Sequence, residues 1–418
     1  MIFWILLKTL FLKGDVGKKI RFNLFNQHCF EYTNSSKFDR LLFLRELKSL
    51  FKSFFLVSSR KKTFTVGVGL YVLSNSFVED KVNFISSSFE NIDFVLNKKE
   101  AYLYANLKWK ILCLFFILVT FPYFFFKTFL SQKNRINNAL LIRHVYLSLV
   151  LSSYIARNCK KIYFFHPHEP ESNLIIMMLE TMGIDVIVTP NTNPLFMYNK
   201  NIVGNKILLT LGYQVEELLF FNPNFQGSIF QEEDFYLANY HNNFSPTNNM
   251  KICYYSHGSW LRLENNQHIP LFNEVKMELE LLEYLKNNNL FKAIDLTICL
   301  HPKEKEKSVL EKAKKYYEDI FGNNINFYLK NSYNSFQEFH IGFGSLSSIL
   351  FERIHCGYKS IIYENGIDNF PIENSLFNQF VISDLENLSQ KINADLATNY
   401  QNYFQNLKRY TYLHHSNA

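Results

Sequence analysis

From residue 250 onward the chain switches repeatedly between two hydrophobic periods. Short apolar runs at 251–255, 296–300, 325–329 and 360–363 read as buried strands. The stretches 271–286, 304–320 and 347–356 carry apolar residues at helical spacing. Gly357 follows the last of these as a C′ residue, and the tract Gly342-Phe343-Gly344-Ser345-Leu346-Ser347-Ser348 opens it. The rhythm is weaker before residue 236, with strands at 64–73, 161–165 and 185–188 and a helix running to about Met182. Such alternation predicts a parallel sheet with helices on both faces. The predicted fold class is therefore α/β, with two Rossmann-like domains over 63–235 and 250–395. Pro223, Gly227, Pro246 and two Asn pairs mark 222–249 as loop and linker. Residues 396–418 are expected to form a crossover helix, returning to the first domain, and a tail.

Charge adds a separate feature at the N-terminus. The net charge is +7, but residues 1–62 hold thirteen Lys/Arg against four acids, so the remainder is slightly acidic. A basic, Phe-rich region of this kind suits a solvated face or an anionic lipid surface. No nucleic-acid module accompanies it, so nucleic acid is not an expected partner. The first residues make a poor secretory signal, because the apolar run is short and no leading basic region precedes it. The six cysteines are widely spaced and form no CxxC pair, which predicts reduced core residues in a cytoplasmic protein.

The segment Ile111 to Phe126 has sixteen residues without a charge, flanked by Lys108, Trp109, Lys110 and Lys127. It falls short of the roughly 20 residues needed to span a bilayer, and Pro122 interrupts it. Three readings follow: an interfacial helix, a buried domain helix and a true span. The first would hold the protein peripherally at the inner membrane.

Candidate chemistry concentrates in the second half. His301-Pro302-Lys303-Glu304 follows the strand at 296–300, which puts His301 at the sheet edge where ligands bind. Ser347 and Ser348 begin a helix, where hydroxyls and free N–H groups form an anion site. Gly344 permits close backbone approach, and Ser345 lies beside it. The tract His257-Gly258-Ser259 ends another strand and reads either as a loop or as a donor contact. Glu352 and Tyr363-Glu364-Asn365 are further contacts of the same kind, or a helix cap and a turn. The chain has no HExxH, GxxxxGK[ST] or GxGxxG motif, so neither a metal nor a cofactor is expected.

The HP tract at 301–302 and the SS tract at 347–348 together resemble the paired motifs of bacterial GT-B sialyltransferases and polysialyltransferases. That resemblance implies two Rossmann-like domains facing a cleft. It also implies a CMP-sialic acid donor whose phosphate is held by His301, Ser347 and Ser348, with Gly258, Ser259, Pro302, Lys303, Gly344 and Ser345 around it. The acceptor would be a surface glycan of capsule or lipooligosaccharide type, which could be lipid-linked. The family's acidic D/E-D/E-G motif has no counterpart: the matching strand end reads Thr189-Pro190-Asn191. Among His166, His168, Glu169 and Glu171 at the preceding strand end, Glu169 is the expected base, with His168 in reserve. The same HP-then-SS order also resembles CDP-glycerol glycerophosphotransferases. A CDP-polyol phosphotransferase is therefore one alternative, and an inactive scaffold in capsule assembly is another.

Overall fold

The computed structural model describes residues 16–21, 40–54, 66–72, 78–130, 135–165, 170–189, 202–210, 214–232, 237, 240, 243–247, 250–264, 272–288, 296–322, 325–345, 347–365 and 379–404. The chain forms two compact units that divide mainly between Glu232 and Glu233. Each contains a six-stranded, wholly parallel sheet, so the chain is an α/β protein with two Rossmann-like units.

In the first unit the strands are β1 (Gly67–Val72), β2 (Phe94–Asn97), β3 (Cys159–Phe165), β4 (Asp185–Thr189), β5 (Lys206–Leu209) and β6 (Ser228–Gln231). Their spatial order is β2-β1-β3-β4-β5-β6. The helices include α1 (Arg40–Phe54), α2 (Val78–Ser88), α3 (Lys98–Tyr104), α4 (Leu107–Leu130), α5 (Arg135–Asn158) and α6 (Pro170–Thr181). α1, α3, α4 and α6 all pack on α5, whose Val145, Leu149, Val150 and Ile155 are fully buried. The apolar segment at 111–126 is the middle of α4, and Pro122 lies inside the helix rather than ending it. Proline has no N–H, so position 122 donates no bond to the ladder.

The second unit has β7 (Ile252–Tyr255), β8 (Leu296–Cys299), β9 (Asn326–Tyr328), β10 (Ile341–Ser345), β11 (Lys359–Tyr363) and β12 (Val381–Ile382), in the order β12-β11-β10-β7-β8-β9. Its helices include α7 (Ser259–Glu264), α8 (Phe272–Asn287), α9 (Leu310–Phe321), α10 (Ser335–Glu338), α11 (Ser348–His355), α12 (Leu388–Ala397) and α13 (Tyr400–Tyr403). Every residue of β7, β8, β10 and β11 is buried, as expected for parallel strands covered on both faces.

Three expectations change. The helix expected from Glu304 begins only at Leu310, because 302–309 form a series of turns. The tract expected to open a helix is instead a strand through Ser345. The terminal segment is not one helix: α12 ends at Ala397, Thr398 is extended, and Asn399 caps α13 by accepting from Asn402 N. Tyr403 then bonds Ser360 on β11, so the described part of this segment stays with the second unit.

Candidate functional site

The order β12-β11-β10-β7-β8-β9 places a topological switch point between β7 and β10. Chains leaving the carboxyl ends of those two strands diverge, which opens a crevice in doubly wound sheets. The segment after β7 is Ser256–Ser259, the segment after β10 leads to Ser347 and Ser348, and β8, beside β7, leads to His301. The two motifs singled out in the sequence therefore share one sheet edge.

His301 is half-buried, and its ring is held in one tautomer. The backbone N–H of Lys303 donates to His301 Nδ1 at 3.2 Å. A backbone N–H can only donate, so Nδ1 carries the lone pair and the neutral ring holds its proton on Nε2. Pro302 and Lys303 are exposed in the turn that makes this bond.

Two buried carboxylates support the strand-end loops. Glu304 folds back to accept from His301 N at 2.7 Å, Trp260 Nε1 at 2.5 Å and Tyr317 Oη at 3.0 Å. Glu278, on α8, accepts from His257 N at 2.5 Å, Ser259 N at 2.8 Å and Tyr254 Oη at 2.7 Å. Burial, and secondarily the charge of Glu278, raises the Glu304 carboxyl above its ordinary range. Trp260 stacks on Tyr316 with ring centroids 5.1 Å apart and closes this layer from the helix side.

Gly258 sits at φ +71°, where a side chain is strained, and a Cβ there would lie 3.5 Å from His301 Cβ. The loop after β7 therefore packs directly on the His301 loop. Its amides are engaged: Gly258 N donates to Ser256 Oγ at 2.9 Å and Ser259 N to Glu278. Ser259 is fully buried. The N–H groups of Gly258 and Ser259 are thus engaged within the chain and support the His301 loop.

Gly344 also has a packing role. A Cβ at Gly344 would meet the carbonyl oxygen of Tyr255 at 2.7 Å, and one at Gly342 would meet the Tyr255 ring at 2.5 Å. Both glycines let β10 lie against β7 inside the sheet. Ser345 ends β10 and is 1% exposed, so its hydroxyl faces the interior. Ser347 and Ser348 differ, being half-buried at the start of α11. Ser347 occupies the N-cap position, yet its side chain makes no capping bond. The hydroxyl is therefore not committed to the task that serines at this position commonly perform.

α11 is fixed from behind by Arg353, which is fully buried and, among the described residues, bonds carbonyls and a hydroxyl. Its guanidinium donates to Lys359 O at 2.9 Å, Tyr255 Oη at 3.2 Å, Ser335 O at 3.3 Å and Phe339 O at 2.5 Å. Glu352 is also buried, inside the helix. Farther along the edge, a cavity of about 830 Å³ is lined by Glu280, Tyr284, Tyr363, Asn365, Asp384 and Glu386 among others. Its carboxylates would repel a phosphate, so Tyr363 and Asn365 face chemistry unlike that of the switch point.

In the first unit the switch point lies between β1 and β3. His166, His168 and Glu169, which follow β3, and Pro190 and Asn191, which follow β4, lie outside the described residues. Glu171 is described, and its carboxylate is buried and paired. Burial alone would raise its carboxyl, but bonds from His144 Nδ1 at 3.1 Å and from Lys98 Nζ outweigh burial and hold it at about 2. Its charge is committed to an internal pair of cations or donors.

Glu278 and Arg353 carried no sequence signal, because a charge on an amphipathic helix ordinarily faces solvent. Glu304 had one: an acid three residues after a strand-end histidine can fold back onto the histidine's N–H. Among the described residues, no group of three His, Cys, Asp or Glu side chains is placed to hold a metal ion. The described cysteines are all buried thiols.

No protein-family model matches the chain, and no curated protein matches it. Among solved structures it is similar to a UDP-N-acetylglucosamine 2-epimerase, with 10% identity over 84% of this chain and 92% of that one and a TM-score of 0.45. It is also similar to a candidate UDP-N-acetylglucosamine 2-epimerase from Listeria monocytogenes, with 10% identity, 83% and 92% coverage and a TM-score of 0.40. Similarity at this level describes backbone arrangement and carries no residue roles.

Proposed function

We propose that the chain transfers a nonulosonic acid, such as sialic acid, from a CMP donor to a hydroxyl of a bacterial surface glycan, with inversion and without a metal. The observation that carries this reading is the placement of His301, whose Nδ1 accepts from Lys303 N–H, at the edge shared with Ser347 and Ser348. A leaving phosphate gains negative charge as the bond to the anomeric carbon breaks. A ring N–H, two hydroxyls and the start of a helix suit that charge.

In the proposed step the acceptor oxygen forms a bond to the anomeric carbon while the bond from that carbon to the CMP oxygen breaks. CMP leaves with the electron pair, and the acceptor proton passes to a base. Glu169 is our choice for that base, with His168 in reserve. Glu169→Gln is expected to lower turnover strongly with little change in CMP affinity, because the base acts on the acceptor.

Product analysis tests the reaction class. Incubation with CMP-sialic acid and a glycan acceptor is expected to release CMP and give a product without phosphorus. A phosphorus-containing product from CDP-glycerol, with CMP-sialic acid inert, would replace this reading by polyol-phosphate transfer.

A further inference from the structure

α4 is apolar around its whole circumference. Cys113 and Ile117 face inward and are buried in the core of the first unit. The opposite face is open: Ile111, Phe115, Leu118, Val119 and Phe126 are each 51–59% exposed. These residues recur at spacings of three, four and seven, so they form one stripe along the helix. Between Ile111 and Phe126 the stripe contains no charged residue. Isolated exposed apolar residues are ordinary, but a continuous stripe of this length marks an interaction surface.

α1 packs on α5, as α4 does. Its exposed described residues are Leu44, Arg45, Lys48, Phe51 and Lys52. Its one acid, Glu46, is 1% exposed. The face thus combines three cations and two large apolar side chains, with no exposed carboxylate among them. Lys108 is exposed at the start of α4, and Arg157 covers Trp109 at 4.2 Å from the ring centre.

We propose that α4 and α1 together form a docking face for an anionic lipid bilayer, with α4 lying in the plane of the interface. Because one side of α4 is packed into the protein, the helix presents one face to lipid and cannot be surrounded by it. No helix among the described residues is long and apolar enough to cross a membrane. An interfacial helix buries its apolar face about 5–10 Å into the headgroup and acyl boundary, which large side chains such as Phe115 and Leu118 can reach. The α1 cations supply attraction to acidic headgroups. A second copy paired through the same face fits less well: it would cover the stripe but set the α1 cations against cations, since that helix exposes no carboxylate among its described residues.

Vesicle flotation of the full chain tests this. We expect it to float with vesicles of seven parts phosphatidylcholine to three parts phosphatidylglycerol, and at least tenfold less with phosphatidylcholine alone. Phe115→Glu combined with Leu118→Glu should abolish flotation on both. Arg45→Gln, Lys48→Gln and Lys52→Gln together should weaken binding to the anionic vesicles by roughly 100-fold, on the scale of one surface interaction per cation. All five positions are exposed, and unchanged melting of each variant shows that the fold is retained. No flotation of the wild type, or wild-type flotation of the Phe115/Leu118 variant, would overturn the proposal. So would a dimer in light scattering that the same variant dissociates while vesicle binding is absent.

Discussion

His301 shows how one hydrogen bond restricts chemistry. The Lys303 N–H occupies Nδ1, which leaves Nε2 as the ring nitrogen that carries a proton to donate. His301→Ala should therefore lower turnover about 10²–10³-fold, the usual effect of losing one donor to developing charge, with the melting temperature unchanged. His301→Gln retains a neutral N–H donor of similar reach and should lose less. Equal loss in the two variants would mean that the ring acts as an acid instead. Glu304 governs the same ring from beneath. Glu304→Ala leaves the Trp260 and His301 N–H groups and the Tyr317 hydroxyl without this acceptor, and should destabilise the fold by about 3 kcal/mol. Urea unfolding measures this, and a loss below about 1 kcal/mol would show that water or other groups replace the carboxylate. At this scale the sequence was partly legible. A histidine after a buried strand and paired serines before a helix are local patterns. Glu278 is not local: it lies on α8, 21 and 19 residues beyond the two N–H groups it accepts from, at a position that looks like an ordinary solvent-facing charge.

Elements were legible where burial was symmetrical. The strands at 252–255, 296–299 and 359–363 are continuous buried runs, and their bounds match the hydrophobic pattern closely. Strand β10 was hidden because Gly342 and Gly344 imitate a ligand loop, whereas their missing Cβ atoms make room for Tyr255. The start of α9 was hidden because Glu304 bonds back to His301 N, and turns occupy 302–309 before the helix begins. Buried cations lock the elements behind the site. Lys359 opens β11 and donates to Asp395 O at 2.6 Å and to the Thr398 carbonyl, joining β11 to the end of α12. Burial lowers its ammonium from 10.5 to about 8. The folded state then binds fewer protons than the unfolded state between these values, so this group's contribution to stability rises with pH from about 8 to 10.5. Wild type should gain stability relative to Lys359→Met across that window, as read by unfolding at fixed pH values. A flat difference would mean that the lysine is solvated when folded. Arg353→Met should cost roughly 3 kcal/mol or more, because the carbonyls of Lys359, Ser335 and Phe339 lose this donor.

For the whole molecule, two parallel six-stranded sheets follow from the alternation of strand and helix patterns, and each has its own switch point. Hydrophobic periodicity reaches the fold class because each layer must bury a face. It does not reach the acceptor base, since a catalytic carboxylate and a solvated loop acid look alike in a sequence. Nor does it separate the two faces of α4, both of which are apolar while only one is packed. The central claim is that the edge formed by His301, Ser347 and Ser348 holds the phosphate of a cytidine nucleotide. Thermal unfolding of the full chain with CMP, UDP and GDP tests it most directly. CMP at 100 times its dissociation constant should stabilise the fold by about 2.7 kcal/mol. That gain should largely disappear in His301→Ala, and UDP and GDP should give much less at equal concentration. Stabilisation by UDP or GDP equal to or greater than that by CMP would contradict the account, as would a CMP effect unchanged by loss of His301.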